Sequence, residues 1–243
     1  MNKKIICTFV LCSVLSFPAV SIAQENIATD GLDTLSASCS KGDARSCSEL
    51  GLNYLTGTGI QKDYHKAITM FKKSCDNNYA EGCRRLGLMY IEGLGTRQDY
   101  AKGFEVSAQA CTAGDLNACN NLATLYMQGL GTKKDTQKAI ELYDRVCQSG
   151  GGSGCKNLAI MYRDGSEVSL DKQKARDYLK KACDANDPQG CEELGLLHSQ
   201  DEKDPAYDPT LALELFKKSC ETGLHSSCEY FVKLKIKTDY KKD

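Results

Sequence analysis

The chain has 243 residues, of which 41% are hydrophobic and 26% are charged. These proportions are ordinary for a globular protein and argue against a disordered, collagenous or multi-span membrane protein. The 31 Lys and Arg residues nearly balance the 32 Asp and Glu residues, so the net charge is -1 and no basic surplus is present for binding phosphate backbones. We therefore expect no nucleic-acid partner. The unusual feature of the composition is its 14 cysteines.

The first 23 residues are typical of a signal peptide. A short basic start precedes an uncharged, mostly apolar stretch at 5–20, and Ser21 and Ala23 are small residues at the two positions that a signal peptidase reads. We expect cleavage after Ala23, with residues 24–31 as an N-terminal linker. No later apolar stretch is long enough to span a membrane, so the sequence predicts an exported protein, periplasmic or secreted, in an oxidising compartment.

The twelve cysteines that remain after cleavage form six pairs, each with the spacing C-x(7)-C. The pairs are Cys39/Cys47, Cys75/Cys83, Cys111/Cys119, Cys147/Cys155, Cys183/Cys191 and Cys220/Cys228. Their first members recur every 36 residues, and once after 37, which is typical of stacked structural repeats. Cysteines eight residues apart on one straight helix lie about 12 Å apart, too far for a disulfide. The chain must therefore reverse between them, and each pair is predicted to form a disulfide across a helical hairpin.

A helix-ending residue stands inside each of these intervals. Three residues after the first cysteine, the chain has only Gly or Asn, the two residue types that most easily adopt the left-handed conformation. These residues are Gly42, Asn78, Gly114, Gly150, Asn186 and Gly223. In three intervals an Asp follows, and Asp is a good N-cap for the next helix.

The helix after each second cysteine has one apolar face. In the second repeat this face consists of Cys83, Leu86, Gly87 and Tyr90, at positions i, i+3, i+4 and i+7. The position of Gly87 is Gly or Ala in five repeats, which predicts that a neighbouring helix approaches closely there. The position of Tyr90 is also Tyr in four repeats, and we expect these tyrosines to pack between helices rather than to bind a ligand. They are Tyr54, Tyr90, Tyr126 and Tyr162.

A second helix completes each repeat. A Gly-x-Gly turn, at 93–95 in the second repeat, ends the first helix, and Asp99 stands where the second helix should begin. The pattern predicts an all-α protein, a right-handed α/α solenoid of five disulfide-linked helix pairs. One single helix, at about 32–39, precedes the pairs, and another, from Cys228, follows them.

The repeat resembles a known family. The pattern C-x-x-L-G-x-x-Y-x-x-G-x-G, followed by D-Y-x-K-A, a bulky residue and a closing Cys, is similar to the Sel-one-like repeat, a relative of the tetratricopeptide repeat. The six cysteine pairs resemble those of the Helicobacter cysteine-rich proteins, which are exported, disulfide-linked solenoids. We accordingly assign residues 32–243 to a repeat solenoid. The chain departs from the family pattern at Gly103 and Ser107, which replace Ala and a bulky residue, and at His198, which replaces Tyr.

The resemblance also implies an alternative function, because members of that family are described as penicillin-binding proteins and weak beta-lactamases. Such enzymes use an S-x-x-K motif. The chain contains three matches, Ser38/Lys41, Ser153/Lys156 and Ser169/Lys172. The accompanying S-D-N and K-T-G motifs are absent, and frequent Ser and Lys produce such matches by chance. We therefore predict no catalytic residue and, since no zinc-type Cys spacing occurs, no metal or other cofactor.

A stack of helix pairs forms a curved groove lined by the first helix of each pair, and such grooves hold extended peptides or protein surfaces. The second residue after the cysteine on these helices is polar and varies between repeats. These residues are Glu49, Arg85, Asn121, Asn157 and Glu193. Because an Asn side chain can hydrogen-bond a peptide backbone through both its donor and its acceptor, we predict that Arg85, Asn121 and Asn157 bind a protein or peptide partner.

Two alternatives to this binding site stay open. The polar row is also typical of a plain solvated face, and the protein is also consistent with a secreted effector that engages a host protein. We expect the chain itself to be monomeric.

Overall fold

The computed structural model describes residues 21–240, with side chains described for 31–239, so the predicted signal peptide lies outside it except for its last three residues. Within this part of the chain there are twelve α-helices and no strands. The helices are α1 (Ser21–Ser40), α2 (Ala44–Thr56), α3 (Tyr64–Asp76), α4 (Ala80–Glu92), α5 (Tyr100–Thr112), α6 (Leu116–Gln128), α7 (Thr136–Gln148), α8 (Gly152–Asp164), α9 (Lys172–Asp184), α10 (Pro188–Ser199), α11 (Pro209–Glu221) and α12 (His225–Tyr240).

The helices form the predicted stack. Each packs mainly against the helices before and after it in the chain, and α2 to α11 make five first-helix and second-helix pairs, with α1 and α12 as single helices at the ends. The repeated helix pairs of the sequence prediction are thus confirmed. Helix α1 begins at Ser21, well before the expected start at residue 32, and so includes the linker at 24–31. No Pro or Gly interrupts the chain between Ser21 and Gly31, so the helix can extend backwards.

The disulfides join consecutive repeats rather than the two helices of one repeat. All six predicted pairs are bonded, with Cα atoms 4.4 to 4.8 Å apart. Each links the last turn of a second helix, or of α1, to the first turn of the next first helix. The residue that ends the preceding helix has a positive φ at every junction, 60° for both Asn78 and Asn186, as the spacing predicted.

The cysteines also belong to the hydrophobic core, in agreement with the apolar face on which the sequence placed Cys83. In the first five pairs the second cysteine lies on the packed side of a first helix, and at most 1% of its surface is exposed. These residues are Cys47, Cys83, Cys119, Cys155 and Cys191. They are buried because they start the apolar face that each first helix turns toward its neighbours. Cys228 of the last pair is half-buried.

These cysteines are too deeply buried to form a reactive site on the protein surface. Cys47 packs with Leu50, Cys155 with Leu158, and Cys191 with Leu194, each pair one turn apart within a core cluster. The first cysteines of these disulfides are slightly more exposed, up to 8% at Cys147.

Every complete repeat starts its second helix in nearly the same way. In the second repeat the Asp99 carboxylate accepts a hydrogen bond from the Lys102 N–H at 3.0 Å, while the Asp99 N–H donates to the Tyr90 carbonyl at 2.9 Å. The Lys102 ammonium lies 3.3 Å from Asp99 and 5.7 Å from the centre of the Tyr90 ring. The same arrangement recurs at Tyr54/Asp63/Lys66, Tyr126/Asp135/Lys138 and Tyr162/Asp171/Lys174. The tyrosines therefore pack between helices, as expected.

The departure at His198 leaves this turn intact. The His198 carbonyl accepts a hydrogen bond from the Asp208 N–H at 2.9 Å, in the place of the tyrosine carbonyl of the other repeats. The ring itself bonds elsewhere, through its Nδ1 to the Ala206 carbonyl. The backbone contact needs no aromatic side chain, which explains why the repeat tolerates the change.

Each first helix has a small residue, Gly or Ala, at the position of Gly87. Its size is matched to that of the residue opposite it on the second helix. A Cβ on Gly51 would lie 2.8 Å from the fully buried ring of Phe71. The second repeat has Ser107 in place of that ring, and a Cβ on Gly87 would lie 2.9 Å from the Ser107 Oγ. At the other departure the side chain of Ile91 occupies the space beside Gly103, since a Cβ on Gly103 would lie 2.6 Å from the Ile91 Cγ1. The departure at Gly103 is thus compensated by the first helix of the same repeat.

Substituting Gly51→Ala should destabilise the protein, because the added methyl group must displace the Phe71 ring from a closely packed site. We expect a loss of about 1 to 3 kcal/mol in the free energy of unfolding, measured by denaturant titration. The matched control is Gly31→Ala on α1, where a Cβ meets no atom within 4 Å. That control should be neutral or stabilising by up to about 1 kcal/mol. Equal effects of the two changes would contradict the close-packing interpretation.

Removing one disulfide, by Cys111→Ala together with Cys119→Ala, should lower the free energy of unfolding by about 2.5 kcal/mol, the chain-entropy value for a loop of about nine residues. Full reduction of all six should lower the melting temperature much further, because an isolated repeat buries little apolar surface. Thermal melts with and without reductant measure both effects. A melting temperature that reductant leaves unchanged would show that packing alone holds the stack together.

Candidate protein-binding surface

The first helices lie on the inner side of the stack. Neighbouring first helices contact one another directly, α2 with α4, α6 with α8 and α8 with α10, in addition to their contacts with second helices. Helices on the inside of a curved stack lie closer together than those outside. We call the exposed side of these helices the inner face and define it by the polar row of the sequence analysis. This row consists of Glu49, Arg85, Asn121, Asn157 and Glu193.

Arg85 is paired within its own helix. Its guanidinium donates two hydrogen bonds to the Glu81 carboxylate, at 2.9 and 2.6 Å, and only 22% of its side chain is exposed. Glu81 also accepts a hydrogen bond from the Tyr79 hydroxyl at 3.4 Å and lies 3.6 Å from Arg84. The hydrogen bond from Arg85 lowers the pKa of Glu81 and outweighs the opposing effect of burial. Arg85 thus presents a charge that is already largely neutralised.

The two asparagines differ in their contacts. The Asn157 Nδ2 donates to the Asn120 Oδ1 at 2.8 Å, which joins α8 to α6. Asn121 is half-buried, and its side chain has no hydrogen-bond partner among the residues that the structure describes. The structure therefore places Arg85, Asn121 and Asn157 at one register on three successive first helices. Of the three, Asn157 alone is hydrogen-bonded to a side chain of another repeat.

The ends of the row carry ion pairs. Arg45 donates to Glu49 at 2.9 Å within α2, and Arg163 of α8 donates to Glu193 of α10 at 2.5 Å. The Arg45 pair is largely exposed and contributes little to stability, whereas the Arg163 pair connects two repeats.

A neighbouring row, one residue closer to the cysteine, links the repeats. Arg84 donates to Asp115 of the next repeat at 3.1 Å, and Lys156 donates to Gln189 of the next. Glu192 accepts hydrogen bonds from two serines of the last junction, at 2.6 Å each. These contacts and the Arg163 pair were not predicted from the sequence. The available signal was the recurrence of polar residues at the first position after the cysteine.

A small cavity lies beside Asn157. It has a volume of about 250 Å³. It is lined by Met127, Tyr143, Asn157, Ile160, Met161, Ser166 and Glu167. Glu167 is held by Lys134 at 2.6 Å and by the Thr136 hydroxyl at 3.0 Å, and these hydrogen bonds lower its pKa. The volume is below the range of about 300 to 1,000 Å³ that is typical of small-molecule sites, so the cavity suits a single side chain.

Two larger depressions, of about 440 and 400 Å³, lie on the other side of the stack. One is between α5 and α7 over α6, and the other is between α9 and α11 over α10. They are lined by residues of the same register two repeats apart, such as Leu122 and Leu194. Both are the furrow that forms wherever two second helices pack side by side, and neither is a distinct site.

The three serine–lysine motifs do not come together in the structure. No hydrogen bond within residues 31–239 joins Ser38, Ser153 or Ser169 to its lysine, and Lys156 bonds Gln189 instead. No group of three or more His, Cys, Asp and Glu residues in the described chain is placed to hold a metal ion. Among the described helices, none is long and apolar enough to cross a membrane.

Five helix pairs in register, with a disulfide at each junction, define a repeat solenoid. The model of the Sel1 repeat family matches five consecutive segments, 44–79, 80–115, 116–151, 152–187 and 188–224. The chain belongs to the Sel1 repeat family.

Solved structures with a similar fold come from several bacteria. A protective antigen of uropathogenic Escherichia coli with an SLR fold is 26% identical with a TM-score of 0.69, and the match covers 84% of this chain but 43% of that one. This chain thus spans less than half of the E. coli protein. A Sel1 repeat protein from Oxalobacter formigenes is 23% identical with a TM-score of 0.72, covering 85% of this chain and 86% of that one.

The cysteine-rich protein B of Helicobacter pylori also matches, with 23% identity and a TM-score of 0.44 over 54% of this chain and 94% of that one. At that TM-score the match supports no conclusion about function. A comparison with curated proteins gives no significant match.

The Glu81–Arg85 pair predicts an acid-dependent loss of stability. Because the pKa of Glu81 is lower in the folded chain than in the unfolded one, its contribution is present above the unfolded pKa, about 4.3, and is lost as the pH falls through the folded value. Glu81→Gln should remove this part of the acid sensitivity and cost under about 1 kcal/mol at pH 7. Melting curves between about pH 2 and pH 7 test it.

The control for that experiment is Glu49→Gln, because the Glu49–Arg45 pair is mostly exposed. It should leave the pH dependence of the melting temperature as in the wild type. The interpretation is wrong if Glu81→Gln and Glu49→Gln give the same profile.

Proposed function

We propose that this protein is an exported scaffold that binds an extended segment of a partner protein along its inner face, with Arg85, Asn121 and Asn157 contacting that segment. The observation that carries the proposal is the half-buried row of asparagine side chains next to a cavity of side-chain size. A surface that serves only to be solvated needs neither feature.

The asparagines have the hydrogen-bonding capacity that a peptide backbone requires. Asn121 keeps both its amide donor and its carbonyl acceptor, and Asn157 uses only one N–H, on Asn120. Packed helices lie about 8 to 10 Å apart, and an extended chain advances about 3.3 Å per residue. Asparagines on neighbouring first helices would therefore hydrogen-bond backbone groups about three residues apart in the bound segment.

The cavity determines what the segment should carry. Met127 and Met161 give it an adaptable apolar wall, and methionine side chains adjust to ligands of different shapes. We expect the partner to place one apolar side chain there, about one repeat spacing from the backbone group that Asn121 binds. Arg85, already paired with Glu81, would orient an acceptor at the edge of the segment rather than supply a free charge.

Six disulfides support a location outside the cytoplasm. Disulfides persist in oxidising compartments and are rare in the bacterial cytoplasm, where thiols are kept reduced. The similar E. coli protein is described as a protective antigen, which fits exposure at or beyond the cell surface. We propose export to the periplasm or the medium on these grounds.

The test is capture by immobilised, fully oxidised protein, followed by measurement of the affinity for the captured partner. Asn121→Ala together with Asn157→Ala should weaken binding about ten- to a hundred-fold, the loss of about 1 to 3 kcal/mol of hydrogen bonding. Arg85→Ala should have a smaller effect, because Glu81 already largely neutralises the charge of Arg85.

The matched control is Lys72→Ala, an exposed side chain on the second helix α3, which should bind like the wild type. Circular dichroism and melting temperature confirm that each variant is folded. A captured partner whose affinity is unaffected by all the inner-face changes would remove the binding site from this face. A peptide scan of the partner then tests whether one apolar residue dominates the interaction.

A further inference from the structure

The last helix, α12, is the first helix of an incomplete sixth repeat. Its Cys228 has the register position of Cys83 in α4, and both close a disulfide to the helix before. Within the described chain no second helix follows it. Val232 and Ile236, four residues apart on α12, are each 53% exposed, although large apolar residues are otherwise mostly covered in this protein.

The corresponding positions of α4 are covered by its second helix. They are Gly87 and Ile91, and both face α5. A Cβ on Gly87 would lie 2.9 Å from the Ser107 Oγ, and a Cβ on Gly103 would lie 2.6 Å from the Ile91 Cγ1. The exposed pair on α12 therefore occupies the face that a second helix covers in a complete repeat. A helix with the residue pattern of a second helix would fit this face.

The N-terminal helix α1 also lacks a neighbour, in this case a first helix. It occupies the position of a second helix but has no first helix before it in the described chain. Gly31 and Leu35 stand at the register positions of Ala67 and Phe71, which are both fully buried. Gly31 is exposed, with no atom within 4 Å of the place of a Cβ, and Leu35 is only half-buried.

We infer that two copies of this chain associate end to end, with α1 of one copy packing on α12 of the next to complete a sixth repeat. The residues at the two ends match as a pair. Ile236 would meet Gly31 in the register at which Ile91 lies on Gly103. No other repeat combines Ile with Gly at these positions. The others have Leu55/Ala67, Met127/Ala139, Arg163/Ala175 and Ser199/Ala212.

Charge favours the same pairing. The sequence of α1 has three acidic residues and no Lys or Arg, whereas α12 has three lysines against two acidic residues. At the register where Lys102 lies over Tyr90, the ends carry Asp30 on α1 and Lys235 on α12.

The resulting contact joins two different surfaces, so it leads to open chains or rings of molecules rather than to a two-fold symmetric dimer. One helix pair buries less than the roughly 1,600 Å² of a standard interface. We therefore expect a weak association, with a dissociation constant on the order of 100 μM. The earlier expectation of a monomer would then hold only in dilute solution.

The test is sedimentation of the oxidised protein, purified after export, between about 10 μM and about 1 mM. The weight-average mass should rise with concentration. Ile236→Glu on α12 and Gly31→Leu on α1 should each weaken association at least about ten-fold, because one buries a charge and the other fills the space for Ile236. Both sites are open in the single chain, so neither change should lower the melting temperature, and Gly31→Leu should raise it slightly through helix propensity. The control Leu170→Glu, at a 59% exposed residue elsewhere, should associate like the wild type.

Mixing the two variants makes the test specific. The Ile236→Glu copy keeps an intact α1 and the Gly31→Leu copy keeps an intact α12, so the mixture should form heterodimers that cannot grow further. A wild-type mass that stays at the monomer value up to about 1 mM would overturn the inference. So would association that persists in both variants, or a mixture that remains monomeric.

Discussion

The junction between repeats is the constraint on which the rest of this structure depends. At each junction the chain reverses through one residue of positive φ, and a disulfide holds Cα atoms less than 5 Å apart on the two sides. In a solenoid each repeat contacts only its neighbours, so no long-range contact closes the fold, and opening can start at any junction. Because the disulfides cross the junctions rather than lie inside the repeats, they oppose the separation of one repeat from the next.

Because every junction has the same geometry, the residues at other positions of the repeats can change together. Where the second helix has a large ring, as at Phe71, the first helix offers Gly51, and where the second helix has Gly103, the Ile91 side chain of the first helix lies against it. In these two repeats the residues that face each other thus differ together. The inner face uses the same freedom, since its polar residues need only point away from the packed column.

The same register explains the helices at the two ends of the described stack. In a stack of alternating first and second helices, each end helix lacks a neighbour on one side, and that side exposes apolar residues unless the helix is polar there. Here α12 keeps Val232 and Ile236 at buried positions of the pattern, and α1 keeps Gly31. At these positions α1 and α12 thus resemble the helices of internal repeats rather than those of capping repeats, which have a polar outer face.

The repeat can be derived from the sequence, because its period, turn residues, caps and cysteine pairs all indicate the same helix-turn-helix unit. Asp99 and Asn78 predict where helices begin and end from their own conformational preferences, and both predictions are confirmed. The contacts of the residues proposed to bind a partner, in contrast, required the three-dimensional structure. The Asn157–Asn120 bond and the cavity beside it depend on how far one repeat turns relative to the next, which a residue period does not encode. The Glu81–Arg85 pair is different, because the two residues are four apart on one helix and their pairing is a local feature of the sequence.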